Sequence, residues 1–249
     1  MADLLVIVPA LNEEGAIAGV VAATSEALSA QVVVVDDGST DGTGAAARAA
    51  GAIVLRHAFN LGVGAAVRTG LRYAVEHGYE TVLQLDGDGQ HDPDEASLLL
   101  RRLERGDVDV VVGSRFEHGY ALAPARRTVM RLLSSIVSRR LGTRITDTTS
   151  GFRAFGGPAV EYFSRVYPSE YLSDTVEALL LAADAGLRVT EIPIHMRRRE
   201  TGTASTNPVT ATFHVVRLLL VVAVHRARVS PGAGPATAPA PAPPKVEVG

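Results

Sequence analysis

Over the first 114 residues, short runs of Val, Ile and Leu alternate with longer stretches whose apolar residues recur every three or four positions. The short runs predict strands over residues 4–9, 32–36, 53–56, 81–86 and 108–113. The longer stretches predict helices over 14–29, 42–50, 62–76 and 93–105. Strands that are apolar throughout, rather than at every second position, are buried on both faces. With a helix between successive strands they predict an α/β fold, a mostly parallel, Rossmann-like sheet with helices on both faces. Ligands of such sheets bind beyond the carboxyl ends of the strands. The loops expected there read NEE after the first strand, DDGSTDGT after the second and DGDGQHDPD after the fourth. All three are acidic and polar, which is the first sign of function.

Beyond residue 113 the pattern is less regular. A basic amphipathic helix is expected over 124–141, and DTTSGFRAF reads as a turn and a short strand. A helix over 173–185 has Ser173 as its N-cap. A strand over 187–193 and a last helix over roughly 208–228 complete the folded part. Residues 1–228 are thus expected to form one domain, with a nucleotide-sugar half to about 114 and an acceptor half from 115. Residues 229–249 are rich in Pro and Ala, cannot bury a core, and read as a disordered tail. No internal repeat is present.

Composition narrows the function. Apolar residues make up 47% of 249, enough for a substantial core. A net charge of −3 gives no basic footprint, so nucleic acid is not an expected partner. The absence of cysteine excludes disulfides, thiolate metal sites and a cysteine nucleophile. The only lysine is Lys245, near the C-terminus. A nucleotide P-loop, which needs a lysine, is therefore excluded in the folded part. The start carries no basic n-region, so a signal peptide is not expected. No stretch of 18 apolar residues exists, and FHVVRLLLVVAVHRAR is too short to span a bilayer. That segment would lie in the membrane interface beside the basic helix, or serve as an ordinary core or oligomer helix.

The chemistry concentrates in LQLDGDGQHDPD, residues 83–94. Acids packed so densely repel one another unless a cation sits among them. In an extended segment alternate residues face the same way, so Asp86, Asp88 and Gln90 would present oxygen ligands together. Hard oxygens suit Mg²⁺ or Mn²⁺, with a substrate phosphate completing the shell. An EF-hand is excluded, because His91 and Ser97 stand where its Gly and Glu belong. A phosphatase of the haloacid dehalogenase type shares Asp-x-Asp-Gly but usually needs a phosphate-binding lysine. Asp92 and Asp94 read as helix N-terminal acids. The Gly62-x-Gly64-x-x-Val67 stretch is an incomplete dinucleotide fingerprint and carries little weight alone.

In order, the chain carries VPALNEE, VVVVDDGSTDGT, NLGVGAAVRTG, LDGDGQHDP, VGSRF and MRRRETGTAS. This series resembles the family 2 glycosyltransferases of the GT-A fold, and within them the dolichol-phosphate (polyprenyl-phosphate) mannosyltransferase group. The likeness covers about residues 3–205. It implies an inverting, metal-dependent transfer of a hexose, mannose from GDP-mannose, to polyprenyl phosphate. Pro9, Leu11, Glu13, Val35 and Asp37 match the family's nucleotide-contact motifs. Leu11 departs from the aromatic residue often found there. Asp86, Asp88 and Gln90 match the metal motif. Arg115 and Arg127 match the acceptor-phosphate arginines, and Arg199, with Arg197 nearby, falls in the late motif near the donor diphosphate. Arg131 stands where a smaller polar residue is often found. The implied location is cytoplasmic, peripheral on the cytoplasmic face of the membrane.

Three alternatives remain open. The donor is a UDP-sugar; or the acceptor is a hydroxyl, which would need a carboxylate base such as Asp174 or Glu177; or the protein binds nucleotide sugars without catalysis. Glu13 as a helix first-turn acid and Asp37 as a turn residue are the purely structural readings.

Overall fold

The computed structural model describes residues 4–115, 124–169 and 174–196, with 124–126 as backbone alone. The expected last helix, the tail, Ser173, Arg197 and Arg199 lie outside these residues. The chain runs β1 (Leu4–Ala10), α1 (Glu14–Leu28), β2 (Gln31–Asp36), α2 (Thr43–Ala49), β3 (Ile53–Arg56), α3 (Val63–Glu76) and β4 (Thr81–Gln84). It continues through α4 (Pro93–Leu103), β5 (Val110–Ser114), α5 (Pro124–Leu141), β6 (Arg153–Phe155), α6 (Gly157–Val166), α7 (Asp174–Asp184) and β7 (Val189–Pro193).

The strands form one seven-stranded sheet in the order β3-β2-β1-β4-β6-β5-β7. Every pairing is parallel except those of β6, which runs antiparallel between β4 and β5. Alternate strand residues feed two separate cores. Val6, Val8, Val34, Leu83 and Val111 meet α1, α2 and α4 on one face. Leu5, Ile7, Val35, Val82 and Val112 meet α3, α5, α6 and α7 on the other. Burial on both faces is why the strands are apolar at every position.

Helix α4 illustrates how local signals set an element. The Asp92 carboxylate accepts the Asp94 N–H at 3.0 Å, Pro93 opens the first turn, and Arg101 and Arg102 stand in the last. Its buried residues Ala96, Leu99 and Leu103 fall at helical spacing. Sequence reasoning passed over α6, whose Gly156-Gly157-Pro158 start reads as a loop. Its Phe163 packs edge-on against Phe155 and Tyr167, with ring centroids 5.8 and 5.4 Å apart.

One polar seam interrupts the second core. Gln84 and Arg153 are register partners on β4 and β6, and both are almost fully buried. The Arg153 guanidinium donates to the carbonyl oxygens of Ser150 and Thr175 at 3.0 and 2.9 Å. Asp174, at the start of α7, is 3% exposed. Burial pushes its carboxyl up to about 6, against the lowering influence of Arg153. A carboxyl raised in this way holds its proton more tightly in the folded chain than in the unfolded one. Stability therefore falls as pH rises from about 4 through 6 and stays lower above that.

A rise from 3.8 to about 6 corresponds to about 3 kcal/mol. Asp174→Asn is expected to be more stable than the parent by roughly 1–3 kcal/mol at pH 8 and nearly equal to it at pH 4. Urea unfolding at the two pH values checks this, and an unchanged difference between them would contradict it.

Candidate functional site

The order β2-β1-β4 brings the first, second and fourth loops side by side at the carboxyl edge of the sheet. This is the switch point where sheets of this kind bind ligands. The first two loops are tied together by polar side chains. Asn12, in the left-handed region at φ 56°, donates its N–H to Ser39 Oγ at 3.0 Å and accepts from Thr40 N at 2.9 Å. The Glu13 N–H donates to Thr43 Oγ1 at 2.8 Å, and Glu14 accepts the Gly42 N–H at 3.1 Å.

Asp37 is buried and caged. Its Oδ1 accepts from His57 Nδ1 at 2.7 Å and Leu61 N at 2.9 Å, and its Oδ2 accepts from Gly62 N at 2.8 Å. Gly62 reaches that position with φ 95°, which a side chain would disfavour. His57 is held in turn by Thr69 Oγ1 at 2.9 Å. The cage locks the β3–α3 loop over the second loop and leaves Phe59 and Leu61 exposed beside it. A carboxylate has about four lone-pair sites, so contact with a base N–H is compatible with these bonds. Pro9 and Val35 are buried register partners on β1 and β2, so contact from Val35 is limited to its backbone. Leu11 is partly exposed at the end of β1.

The acidic fourth loop differs from the expected extended segment. Strand β4 stops at Gln84, and the chain turns through Gly87–Gly89, where Gly89 has φ 76°. Alternation along a strand is thus not what groups Asp86 and Asp88. The turn is instead closed by His91, whose Nδ1 accepts the Asp86 N–H at 3.0 Å. That bond requires the neutral ring to carry its proton on Nε2, which lies 3.8 Å from Asp86 Oδ2. Burial lowers the His91 pKa, and the ring stacks on Phe152 at 4.7 Å. Asp88 Oδ1 accepts the Gln90 N–H at 3.0 Å. Asp86 rests over Gly151, where an added Cβ would stand 2.8 Å from Oδ1. The carboxylates of Asp86 and Asp88 and the amide of Gln90 remain partly exposed.

Arg115 follows β5 on the same edge. Its Nε donates to Asp147 Oδ2 at 2.7 Å, and its Nη2 donates to Asp147 Oδ1 at 2.9 Å and Thr149 Oγ1 at 2.8 Å. Burial would push the Asp147 carboxyl up, but the hydrogen bonds and charge of Arg115 outweigh it, and the pKa is lowered. Arg127 and Arg131 are exposed on α5, one turn apart. Glu177 is half-buried on α7.

Sequence reasoning missed Asp147, Gly151, Arg153, His57 and His91. The signal for Asp147 was present: an acid before Thr-Thr-Ser-Gly favours a side-chain-closed turn. The Thr149 hydroxyl indeed bonds back to Asp147 Oδ1 at 3.1 Å.

Over 209 residues the chain is 32% identical to the polyprenol monophosphomannose synthase of Mycolicibacterium smegmatis, covering 80% of this chain and 78% of that protein. It is 30% identical over 244 residues to the UDP-N-acetylglucosamine–dolichyl-phosphate N-acetylglucosaminyltransferase of Methanococcus voltae, covering 89% and 97%. Among solved structures, glucosyl-3-phosphoglycerate synthase from Mycobacterium tuberculosis, crystallised with Mn²⁺, UDP and glucosyl-3-phosphoglycerate, superposes with a TM-score of 0.69. At 20% identity over 90% of this chain and 80% of that one, the likeness shows a shared GT-A fold. The glycosyl transferase family 2 profile matches residues 5–162, from β1 into α6. A match over that span makes this chain a member of glycosyl transferase family 2.

Proposed function

We propose that the protein is an inverting hexosyltransferase that moves mannose from GDP-mannose to polyprenyl phosphate. What supports this reading most is the guanidinium of Arg115 on the same sheet edge as the oxygen-rich loop of Asp86, Asp88 and Gln90. A phosphomonoester with a second pKa of about 6 is mostly dianionic at neutral pH, so it is already a nucleophile. Cations to hold it in line are then the requirement, and arginine meets phosphate bidentately. Arg115 and Arg127 take that role here. Glu13 and Asp37 accept N–H groups of the donor base and Leu11 flanks it, while Arg199 is assigned to the donor diphosphate by the late sequence motif alone.

The donor atoms of Asp86, Asp88 and Gln90 fit Mg²⁺ or Mn²⁺, since all are hard oxygens. Among the described residues no three His, Cys, Asp or Glu side chains converge as a metal cage. An ion held here would depend on donor phosphates for the rest of its shell, a common arrangement for Mg²⁺. Such an ion stabilises charge developing on the leaving nucleoside diphosphate.

Among the described residues no helix is long and apolar enough to cross a membrane. The acceptor would be reached at the bilayer surface, with the exposed Arg127, Arg131 and Arg139 of α5 towards anionic headgroups. On this reading the protein works as a peripheral enzyme at the cytoplasmic face of the membrane. The Methanococcus relative favours a second reading, in which the donor is a UDP-sugar. Burial weighs against Asp174 as the base for an incoming hydroxyl.

Purified protein with polyprenyl phosphate and Mg²⁺ or Mn²⁺ is expected to carry label from GDP-mannose into the organic-extractable fraction. Label from UDP-glucose or UDP-N-acetylglucosamine instead would establish the second reading, and no lipid label from any donor would overturn the acceptor class. Asp88→Asn is expected to lower the rate by about 10²–10³; full activity would remove Asp88 from the site. Gly151→Ala would displace the Asp86 carboxylate, so Mn²⁺ affinity read by electron paramagnetic resonance should fall while the melting temperature changes little.

A further inference from the structure

Arg115 is held along one edge of its guanidinium plane. Two of its nitrogens, Nε and Nη2, are engaged by Asp147, and Nη2 also by Thr149. The Asp147 side chain is fully buried, whereas that of Arg115 is 22% exposed. The buried partner is itself fixed from a third element. Glu191, on β7, accepts the N–H groups of Thr146 and Asp147 at 2.7 and 2.8 Å through Oε2. Its Oε1 accepts the Thr146 hydroxyl at 2.6 Å, and that hydroxyl meets Ser114 Oγ at 3.1 Å. Glu191 is the register partner of Val112 on β5, one pleat below Ser114.

The chain of bonds therefore runs from a sheet strand, through the 146–149 turn, to one guanidinium. Serving stability alone, so elaborate a support has little to recommend it, because a buried ion pair gains little over apolar packing. As a means of fixing the position and plane of a cation beside a phosphate it has a clear use. Arginine recognises phosphate through its plane, and misplacement of a positioning group by about 1 Å can cost up to about 10²-fold in rate.

We propose that Asp147 is a positioning residue for the acceptor phosphate, acting through Arg115, and that Glu191 holds Asp147 in place. The inference rests on the reading that Arg115 meets a phosphomonoester acceptor. On this reading the Nε–Nη2 edge stays bound to Asp147, and the exposed part of the Arg115 side chain meets the phosphate. Replacing the carboxylate by an amide removes the charge and one of the two parallel acceptors, letting the fork rotate.

The test is steady-state transfer to polyprenyl phosphate in detergent micelles, with the donor that the wild-type protein uses. Asp147→Asn is expected to raise the acceptor KM by about 10–100-fold while leaving donor KM and Mn²⁺ binding unchanged. Glu191→Gln, which keeps one acceptor oxygen, is expected to move the acceptor KM in the same direction by less, and it serves where Asp147→Asn does not fold. In an Arg115→Ala background, Asp147→Asn should add almost nothing to the acceptor KM. A purely structural Asp147 would lower the melting temperature without separating the two KM values. Unchanged acceptor KM in both variants, or donor and acceptor KM rising together, overturns the proposal alone. A wild-type protein that transfers no sugar to polyprenyl phosphate overturns the acceptor reading and this proposal with it.

Discussion

Carboxylates accepting backbone N–H groups organise the loops on which the site depends. Asp36 takes the Ser39 N–H, Asp37 those of Leu61 and Gly62, Asp88 that of Gln90, and Asp92 that of Asp94. Glu191 does the same for Thr146 and Asp147. A parallel sheet releases its chain at one edge, where backbone donors have lost their strand partners. Acidic side chains meet that need and also concentrate negative charge there. The abundance of Asp in these loops therefore has two origins, and only some of the acids are available to a ligand. Asp37 and Asp147 are largely occupied by the protein, whereas Asp86 and Asp88 keep part of their surface open.

Charge balance along the edge is uneven. Arg115 bonds the buried carboxylate of Asp147, and Arg153 is buried with its guanidinium donating to the carbonyl oxygens of Ser150 and Thr175. These arginines are thus engaged by other partners, while Asp86 and Asp88 stay partly exposed. Neutral His91 supports that loop without adding charge to it. An oxygen-rich surface of this kind suits an outside cation and its anionic cargo.

Strand and helix positions were legible because burial on both faces leaves unbroken apolar runs, and because α4 carries an Asp cap, a first-turn Pro and terminal arginines. The loop of Asp86 was legible as chemistry but not as conformation: Gly89 turns the chain where an extended segment was expected. Helix α6 was hidden by its Gly-Pro start. The Arg115–Asp147 pair was hidden for a different reason. Its members are 32 residues apart and meet only through the antiparallel insertion of β6, which no local pattern announces. Long-range polar pairs are set by topology, and a single sequence carries no signal of their distance.

That insertion bears on how the chain becomes a protein as it is synthesised. Strands β4 and β5 are consecutive in the chain but do not touch; β6, made some forty residues later, separates them. Until it arrives, both present bare backbone donors and acceptors facing each other across a gap one strand wide. The first 114 residues therefore carry only five of the seven strands of the sheet, whatever their share of the donor site. Closing the gap must await the emergence of a three-residue strand, after which β5 and β7 can complete the sheet. Such non-local closure is slow compared with helix formation. In the interval, the exposed edges offer a nascent chain its most accessible route to pairing with a neighbour.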